Sequence, residues 1–501
     1  MKKASITLYL SLMLSLICGL ICTTILSAKI MAARVLAISA MDQSLYSLMA
    51  EYDRAMLEAF DVFVLDAGYE SATFRAGIIN SKLKDYQKTI LSPEKSNALW
   101  GGGLLSIERS GGGISGYALA SDGGGRVLKG QIIHAVKDTY LQEKVKGLLK
   151  ESRAVEDLLS KNKGQSSDQA LMDYDTLKEE AAQRQEEEAL KEEMSEAVNF
   201  GEESLEEDDG NEEKIEVPAD FKNPIESVAK IKSDGVLPLV LENVAEVSGG
   251  ILNDKLLFSK RSLASGMGSY AINEDVDSTV SDLLYQEYLL GRFKGYTDKG
   301  KEKFQYQLEY LIGGKTEDRE NLKAVVNELL LIREAANLAY LYSDGEKRQE
   351  AEAFARLIAS SIGFPALSPA LELVLLACWA FGESILDVKE LLAGGNIPLM
   401  KGKSTWKLSL ENLANVEETK TKKKNKEGLS YKEYLRILLL KENQEDVLFR
   451  SMDLMEERMR NEYKKENFRL DNSLVYIEGF MSIQSEGKKV YEVVRGYGYD
   501  M

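Results

Sequence analysis

Residues Ala4 to Ala28 form a run of 25 residues without a charge. As an α-helix the run is about 37 Å long, enough to cross a hydrocarbon core of about 30 Å. A rod this apolar has to be covered by lipid or by protein, and that limits everything downstream of it. A cleaved signal has an apolar region of about 7–15 residues followed by a small-x-small site. Here Leu26 stands two positions before Ala28, a poor fit to a peptidase, and Cys18 and Cys22 each follow Ile, which disfavours a lipoprotein site. The reading is a retained transmembrane anchor, with a cleaved signal as the alternative. Lys2 and Lys3 precede the run and place the N-terminus in the cytoplasm by the positive-inside rule, so the bulk lies outside the cell membrane. Lys29 and Arg34 pull the other way. Ser11, Ser15, Gly19 and Thr23 recur every four positions. They mark a face that permits close helix packing in a bilayer, or simply lower its hydrophobicity.

The apolar period continues past the anchor. Ile38, Met41, Leu45, Leu48, Tyr52, Ala55 and Ala59 are spaced alternately by three and four. That is one stripe along a helix, near a coiled-coil seam. No Pro or Gly lies between Leu20 and Asp66, so one long helix runs from lipid into the exterior. Met41, Leu45, Leu48 and Tyr52 are candidates for packing on partner helices, or for docking on the chain's own globular part. Both bury the same stripe.

Asp173 to Glu216 holds 19 acidic and four basic residues, and so carries most of the net charge of −18. The reading is a solvated acidic spacer whose density of negative charge argues against nucleic acid as a partner. The lysine-rich tract at 420–428 reads as a solvated loop. Only Cys378 lies beyond the anchor, so no intramolecular disulfide can form outside. Four segments follow: 1–33, stub and anchor; 34–165, long helix and glycine-rich α+β region; 166–220, acidic spacer; 221–501, a helix-rich α+β exterior domain. Three glycine triplets between 101 and 125 predict turns separating the short strands LLSIE and YALAS. GVLPLVLEN reads as a loop or short strand. KFQYQLEYLIGGK alternates Phe304, Tyr306, Leu308, Tyr310 and Ile312, a strand with one buried face. Thr316 is placed to cap a long helix, and Pro369 to open a core helix ending at Gly394 and Gly395. The tail predicts a hairpin over 473–484 and 489–496, turning at Glu486-Gly487. The fold class is α+β, helix-rich, with small antiparallel sheets.

The chemistry is sparse. One His, His134, serves the whole chain, on a helix beside Ile132, Ile133 and Val136, where a structural role is expected. With one His and one exterior Cys, structural zinc lacks its four N or S ligands. Gly314-Lys315-Thr316 and Gly402-Lys403-Ser404 resemble the end of a phosphate-binding loop, but Glu309 and Ile397 stand where its first glycine belongs. No cofactor, metal or catalytic residue is expected, and the chain reads as non-enzymatic.

Lys3-Ala4-Ser5-Ile6-Thr7-Leu8-Tyr9 resembles the start of TadE/TadG-type pseudopilins of the Tad (Flp) pilus machinery. That family has Gly at the place of Ala4 and Glu at the place of Tyr9. The stretches LMAEYDRAMLEAFDVFVLDAGY, GYALASDGGG, GKTEDRENLKAVVNELLLIREAANLAYLYSD, WAFGESILDVKELLAGGNIPLMK, WKLSL and GLSYKEYLRILLL resemble an uncharacterised Gram-positive domain family found beside Tad-type pilus genes. The resemblance implies a place and no mechanism. The expected function is a membrane-anchored assembly subunit of a Tad-like pilus or secretion apparatus, with protein partners in that assembly. The alternative is a tethered extracytoplasmic protein that binds a ligand or the cell wall.

Overall fold

The computed structural model describes residues 2–91, 107–137, 142–161, 166–198, 221–233, 235–268, 270, 274–298, 300, 302–419, 426–485 and 488–499. The first helices are α1 (Lys2–Met49), α2 (Arg54–Phe60), α3 (Ala76–Leu91), α4 (Arg126–Lys137), α5 (Gln142–Lys161), α6 (Ser167–Val198), α7 (Pro224–Ser233) and α8 (Val236–Val240). After them come α9 (Thr279–Arg292), α10 (Gln307–Gly313), α11 (Asp318–Ser343), α12 (Gly345–Ser361), α13 (Ser368–Leu392), α14 (Tyr431–Lys441) and α15 (Gln444–Asn461). The strands are β1 (Leu65–Asp66), β2 (Ile107–Leu119), β3 (Ser473–Ser485) and β4 (Lys488–Gly498). The described residues are helix-rich with one small antiparallel sheet.

The chain divides into two units that are not contiguous in sequence. One takes Met1–Tyr140, Asp254–Tyr288 and Gln444–Met501; the other takes Leu141–Asn253 and Leu289–Asn443. This replaces the linear succession of segments expected above. The reason is β3. It is the central strand of the first unit, with β2 on one side and β1 and β4 on the other, so the C-terminal hairpin completes a sheet begun before residue 120.

In the first unit the lower half of α1 lies on that sheet. Ala33, Ala37, Ala40, Met41, Leu45, Leu48 and Met49 are buried with Ile79 and Leu83 of α3 and with Leu474, Ile477, Met481 and Ile483 of β3. Burying each large side chain is worth about 1.5–3 kcal/mol. Small residues make room for the contact: a Cβ on Gly479 would come within 2.5 Å of Met41 Cε. The helix ends as the chain turns into α2, whose N-cap Asp53 accepts from the N–H groups of Ala55 (2.9 Å) and Met56 (3.2 Å).

The second glycine triplet is not a turn. Gly111–Gly113 sits inside β2, paired with Ser482, Met481 and Phe480, and register shifts fall on either side of it. Gly112 has φ +146°, and a Cβ there would lie 2.6 Å from the Phe480 carbonyl oxygen. Glycine therefore serves a bulged strand that runs close to its neighbour. The third triplet makes the turn into α4. The first triplet, the hairpin tip Glu486-Gly487 and residues 420–425 of the lysine tract lie outside the described residues.

The second unit is built around α13. Pro369 opens it, Ala393 caps it and Gly394 follows at φ +83°. Most of α13 is buried, Trp379 and Cys378 fully; burial pushes the Cys378 thiol up to about 12, so it stays protonated. Helices α6, α7, α8, α11 and α12 pack against α13. The contact with α6 corrects the spacer reading for residues 167–181. Ala170, Tyr174 and Ala181 are buried there, spaced by one or two helical turns, while Gln183 to Leu190 remain exposed. Charge density hid a narrow apolar edge. Residues 199–220 lie outside the described residues.

GVLPLVLEN contains a short helix, α8, and the alternating segment 304–312 contains α10. Gln307 and Glu309 are buried along with the apolar residues beside them, so the alternation had no exposed face to mark. Gln307 Oε1 accepts from the Lys294 N–H (3.2 Å), and Glu309 Oε1 from the Tyr296 N–H (2.8 Å) and the Tyr431 hydroxyl (2.7 Å). Nor does Thr316 cap α11. The N-cap is Glu317, without a side-chain bond, and buried Asp318 of the first turn accepts from the N–H groups of Gln305 (3.0 Å) and Tyr306 (2.9 Å).

Burial pushes the Glu309 carboxyl from 4.5 up to about 7. The folded state therefore takes the proton first, so stability falls as pH rises from about 4.5 to 7. Glu309→Gln keeps an acceptor for Tyr431 and removes the ionisation. Denaturant midpoints of both proteins should agree most closely near pH 5 and separate toward pH 8, the Gln variant being the more stable by at most about 3 kcal/mol. A constant difference across that range would refute the assignment.

Candidate functional site

The upper half of α1 is the feature with no covering in the structure. Its most apolar window has no buried residue, and it is the one helix among the described residues long and apolar enough to cross a membrane. Leu8, Leu12, Leu16 and Leu20 are each more than half exposed. Ser11, Ser15, Gly19 and Thr23 lie along this exposed length. The hydroxyls of Ser11, Ser15 and Thr23 donate to the carbonyls of Leu8 (3.0 Å), Leu12 (3.1 Å) and Leu20 (2.9 Å). With these bonds made inside the helix, the polar residues need no outside partner in an apolar medium. A side chain at Gly19 would meet nothing within 4 Å.

The other four packing candidates fall elsewhere. Met41, Leu45 and Leu48 are fully buried against the sheet of their own chain, so they are closed to partner helices. The stripe docks at home because β3 and α3 offer it a complementary apolar face. Tyr52 lies beyond the end of α1, its ring edge-on to Phe63 at 5.1 Å. His134, expected to be structural, stands exposed on α4.

The second unit holds a buried polar constellation that the sequence reading missed. Arg333 of α11 is fully buried. Its Nε donates to Asp387 Oδ2 (3.0 Å), Nη1 to the carbonyls of Pro398 (3.0 Å) and Leu399 (2.8 Å) and to the Tyr434 hydroxyl (3.0 Å), and Nη2 to Asn337 Oδ1 (3.2 Å). Lys401 Nζ pairs with Asp387 Oδ1 at 2.5 Å and with Glu383 Oε1. Glu383 also accepts from the N–H groups of Lys407 (3.0 Å) and Leu408 (2.7 Å), and the Lys407 ammonium pairs with Glu390. Burial pushes the Asp387 carboxyl up, but the two cations outweigh it and hold the group below the usual carboxylate range. At Glu383 burial wins over Lys401 and its value is raised.

Both Glu383 oxygens thus accept hydrogen bonds. Asp387 Oδ2 accepts from Arg333 and Asn337, while Oδ1 meets Lys401 only as an ion pair and has no hydrogen bond among the described residues. The constellation ties α11, α13 and residues 397–408 together, and it leaves little acceptor capacity for a substrate. One signal for it was available: Glu383 and Asp387 are four apart in an apolar helix, as are Arg333 and Asn337. Among the described residues no group of three or more His, Cys, Asp or Glu could hold a metal ion.

A family model described as a family of unknown function (DUF5702) matches residues 212–485, just over half of the chain. The match includes the whole buried constellation and leaves out α1. No curated protein and no solved structure matches.

Proposed function

The chain belongs to DUF5702, a family of unknown function, and from its own geometry we propose that it is a non-enzymatic, single-pass membrane component of a Tad-like pilus or secretion apparatus. The N-terminus is cytoplasmic and the two folded units lie outside the cell. One observation carries the reading: α1 is continuous, its upper half wholly exposed and apolar, its lower half part of the core of a folded unit. Such a helix transmits the position of a membrane assembly to the exterior without a flexible joint. The resemblance of the N-terminus to TadE/TadG-type pseudopilins, and of the chain to Gram-positive proteins encoded beside Tad pilus genes, supports the choice of assembly. The upper half of α1 is where partner helices pack, on the face carrying Ser11, Ser15, Gly19 and Thr23.

The test is crosslinking in the native membrane, followed by identification of the captured proteins. Pilus or secretion components should be captured by the unmodified chain. The double variant Ser15→Leu, Gly19→Leu should lose most of them while staying in the membrane fraction, because both changes raise hydrophobicity and fill the close-approach face. Capture of cell-wall fragments by either chain, with no assembly component, would instead favour a tethered wall-binding protein.

A further inference from the structure

The first unit contains a cleft of about 440 Å³ beside the end of α1, walled mainly by aromatic rings. Tyr52 stands edge-on to Phe63, with ring centres 5.1 Å apart at 79°; Phe63 stacks on Tyr499 at 5.6 Å; Tyr46 meets Tyr497 edge-on at 5.8 Å and 89°. Two of the three ring pairs meet edge-on and so form walls, whereas a sugar-binding platform presents one flat face. The walls are braced from behind. The Tyr499 hydroxyl donates to the Met49 carbonyl at 2.6 Å, and the Gln131 amide donates to the Phe63 carbonyl at 3.1 Å.

Charge points the same way. Asp61 and His134 line the cleft, and no Lys or Arg is among the described residues that do. Gln131 also lines it and is buried, yet its Oε1 has no hydrogen-bond partner among the described groups. An acceptor turned into the cleft favours an occupant that brings positive charge or a hydroxyl proton over one that brings a second acceptor. Aromatic faces attract cations through their quadrupoles, most strongly where water is excluded. Phe63 and Tyr46 remain partly open to solvent, which leaves an entrance.

We propose that this cleft binds a small alkylated ammonium ion. The rings of Tyr46, Tyr52, Phe63, Tyr497 and Tyr499 enclose its methyl groups, and Asp61 supplies the counter-charge. Met31, in the exposed length of α1, lies 15 residues before Tyr46, about 22 Å along the helix. The occupant is therefore a solute and not a headgroup of the bilayer that holds the chain. This inference does not depend on the proposed pilus role.

The probe is choline, titrated into the full chain in maltoside micelles and read by ligand-observed NMR. Its uncharged isostere, 3,3-dimethylbutan-1-ol, has the same shape. Choline should bind saturably below about 10 mM, and the isostere about tenfold more weakly. Phe63→Leu keeps apolar bulk and removes the ring. Asp61→Asn removes the charge and suits the left-handed backbone there (φ 54°). Each should weaken choline about five- to tenfold, with thermal unfolding unchanged. Equal binding of choline and its isostere, no saturable choline binding, or tighter binding of N-acetylglucosamine than of choline would overturn the proposal.

Discussion

Asp387→Ala should destabilise the second unit by about 3–5 kcal/mol, the cost of breaking a buried ion pair by removing one partner. The size follows from what remains. Arg333 and Lys401 are both cationic, with side chains fully shielded from water, and Asp387 faces both of them. Without it Arg333 keeps carbonyl and hydroxyl acceptors but no carboxylate, and Lys401 shares Glu383 alone. Asp387→Asn should fall between wild type and Ala, because an amide oxygen still accepts a hydrogen bond but balances no charge. Lys403→Ala is the control. Its pair with Glu346 is exposed on both sides, and such pairs contribute little to stability. Denaturant unfolding of the four proteins in micelles should give the order wild type and Lys403→Ala, then Asp387→Asn, then Asp387→Ala. Equal effects of Asp387→Ala and Lys403→Ala would show that the constellation is not closed to water.

How far these features were legible beforehand depends on how many faces of each element meet the core. Helix α13 was legible because Pro369 and Gly394 punctuate a long apolar pattern, and the C-terminal hairpin because its strands alternate around a turn. Helix α10 was not, because Glu309 and Gln307 are buried with their neighbours and a helix buried all round shows no helical period. Only the two ends of β2 were read as short strands; its continuity was hidden by Gly111–Gly113, whose use depends on the Phe480 carbonyl some 370 positions away, a partner that no local rule supplies. The end of the stripe on α1 was visible, but not its destination. Partner helices and the chain's own sheet demand the same residues, and only the pairing of β3 with β2 and β4 decides between them. Of the aromatic cleft, one clue was local: Tyr497 near the end of β4 and Tyr499 just past it are two apart in extended chain. Phe63 and Tyr46 come from elsewhere. The placing of Ser11, Ser15, Gly19 and Thr23 along one side of α1 was legible, since a lone helix needs no tertiary information to place residues four apart on one side.

The second large effect concerns α1 itself, whose two halves should separate cleanly on truncation. A chain lacking residues 2–29 keeps Ala33, Ala37, Ala40, Met41, Leu45, Leu48 and Met49 in the core, so the first unit should unfold at the same denaturant concentration as in the full chain. A chain lacking residues 2–49 loses all seven and leaves the face of β3 bare. Cutting each large core residue to Ala costs about 2–5 kcal/mol. Losing four of them outright costs about 8–20 kcal/mol, as much as or more than the whole stability of about 5–15 kcal/mol of a domain, so the first unit should not fold. The most direct measurement on the continuous rod is alkaline carbonate extraction of native membranes holding the full chain, set beside neutral fractionation of cells expressing the chain lacking 2–29. The full chain should stay in the pellet, and the shortened chain should be recovered folded in the supernatant. A full chain released by carbonate, or a shortened chain recovered only unfolded, would contradict a helix that is membrane at one end and protein core at the other.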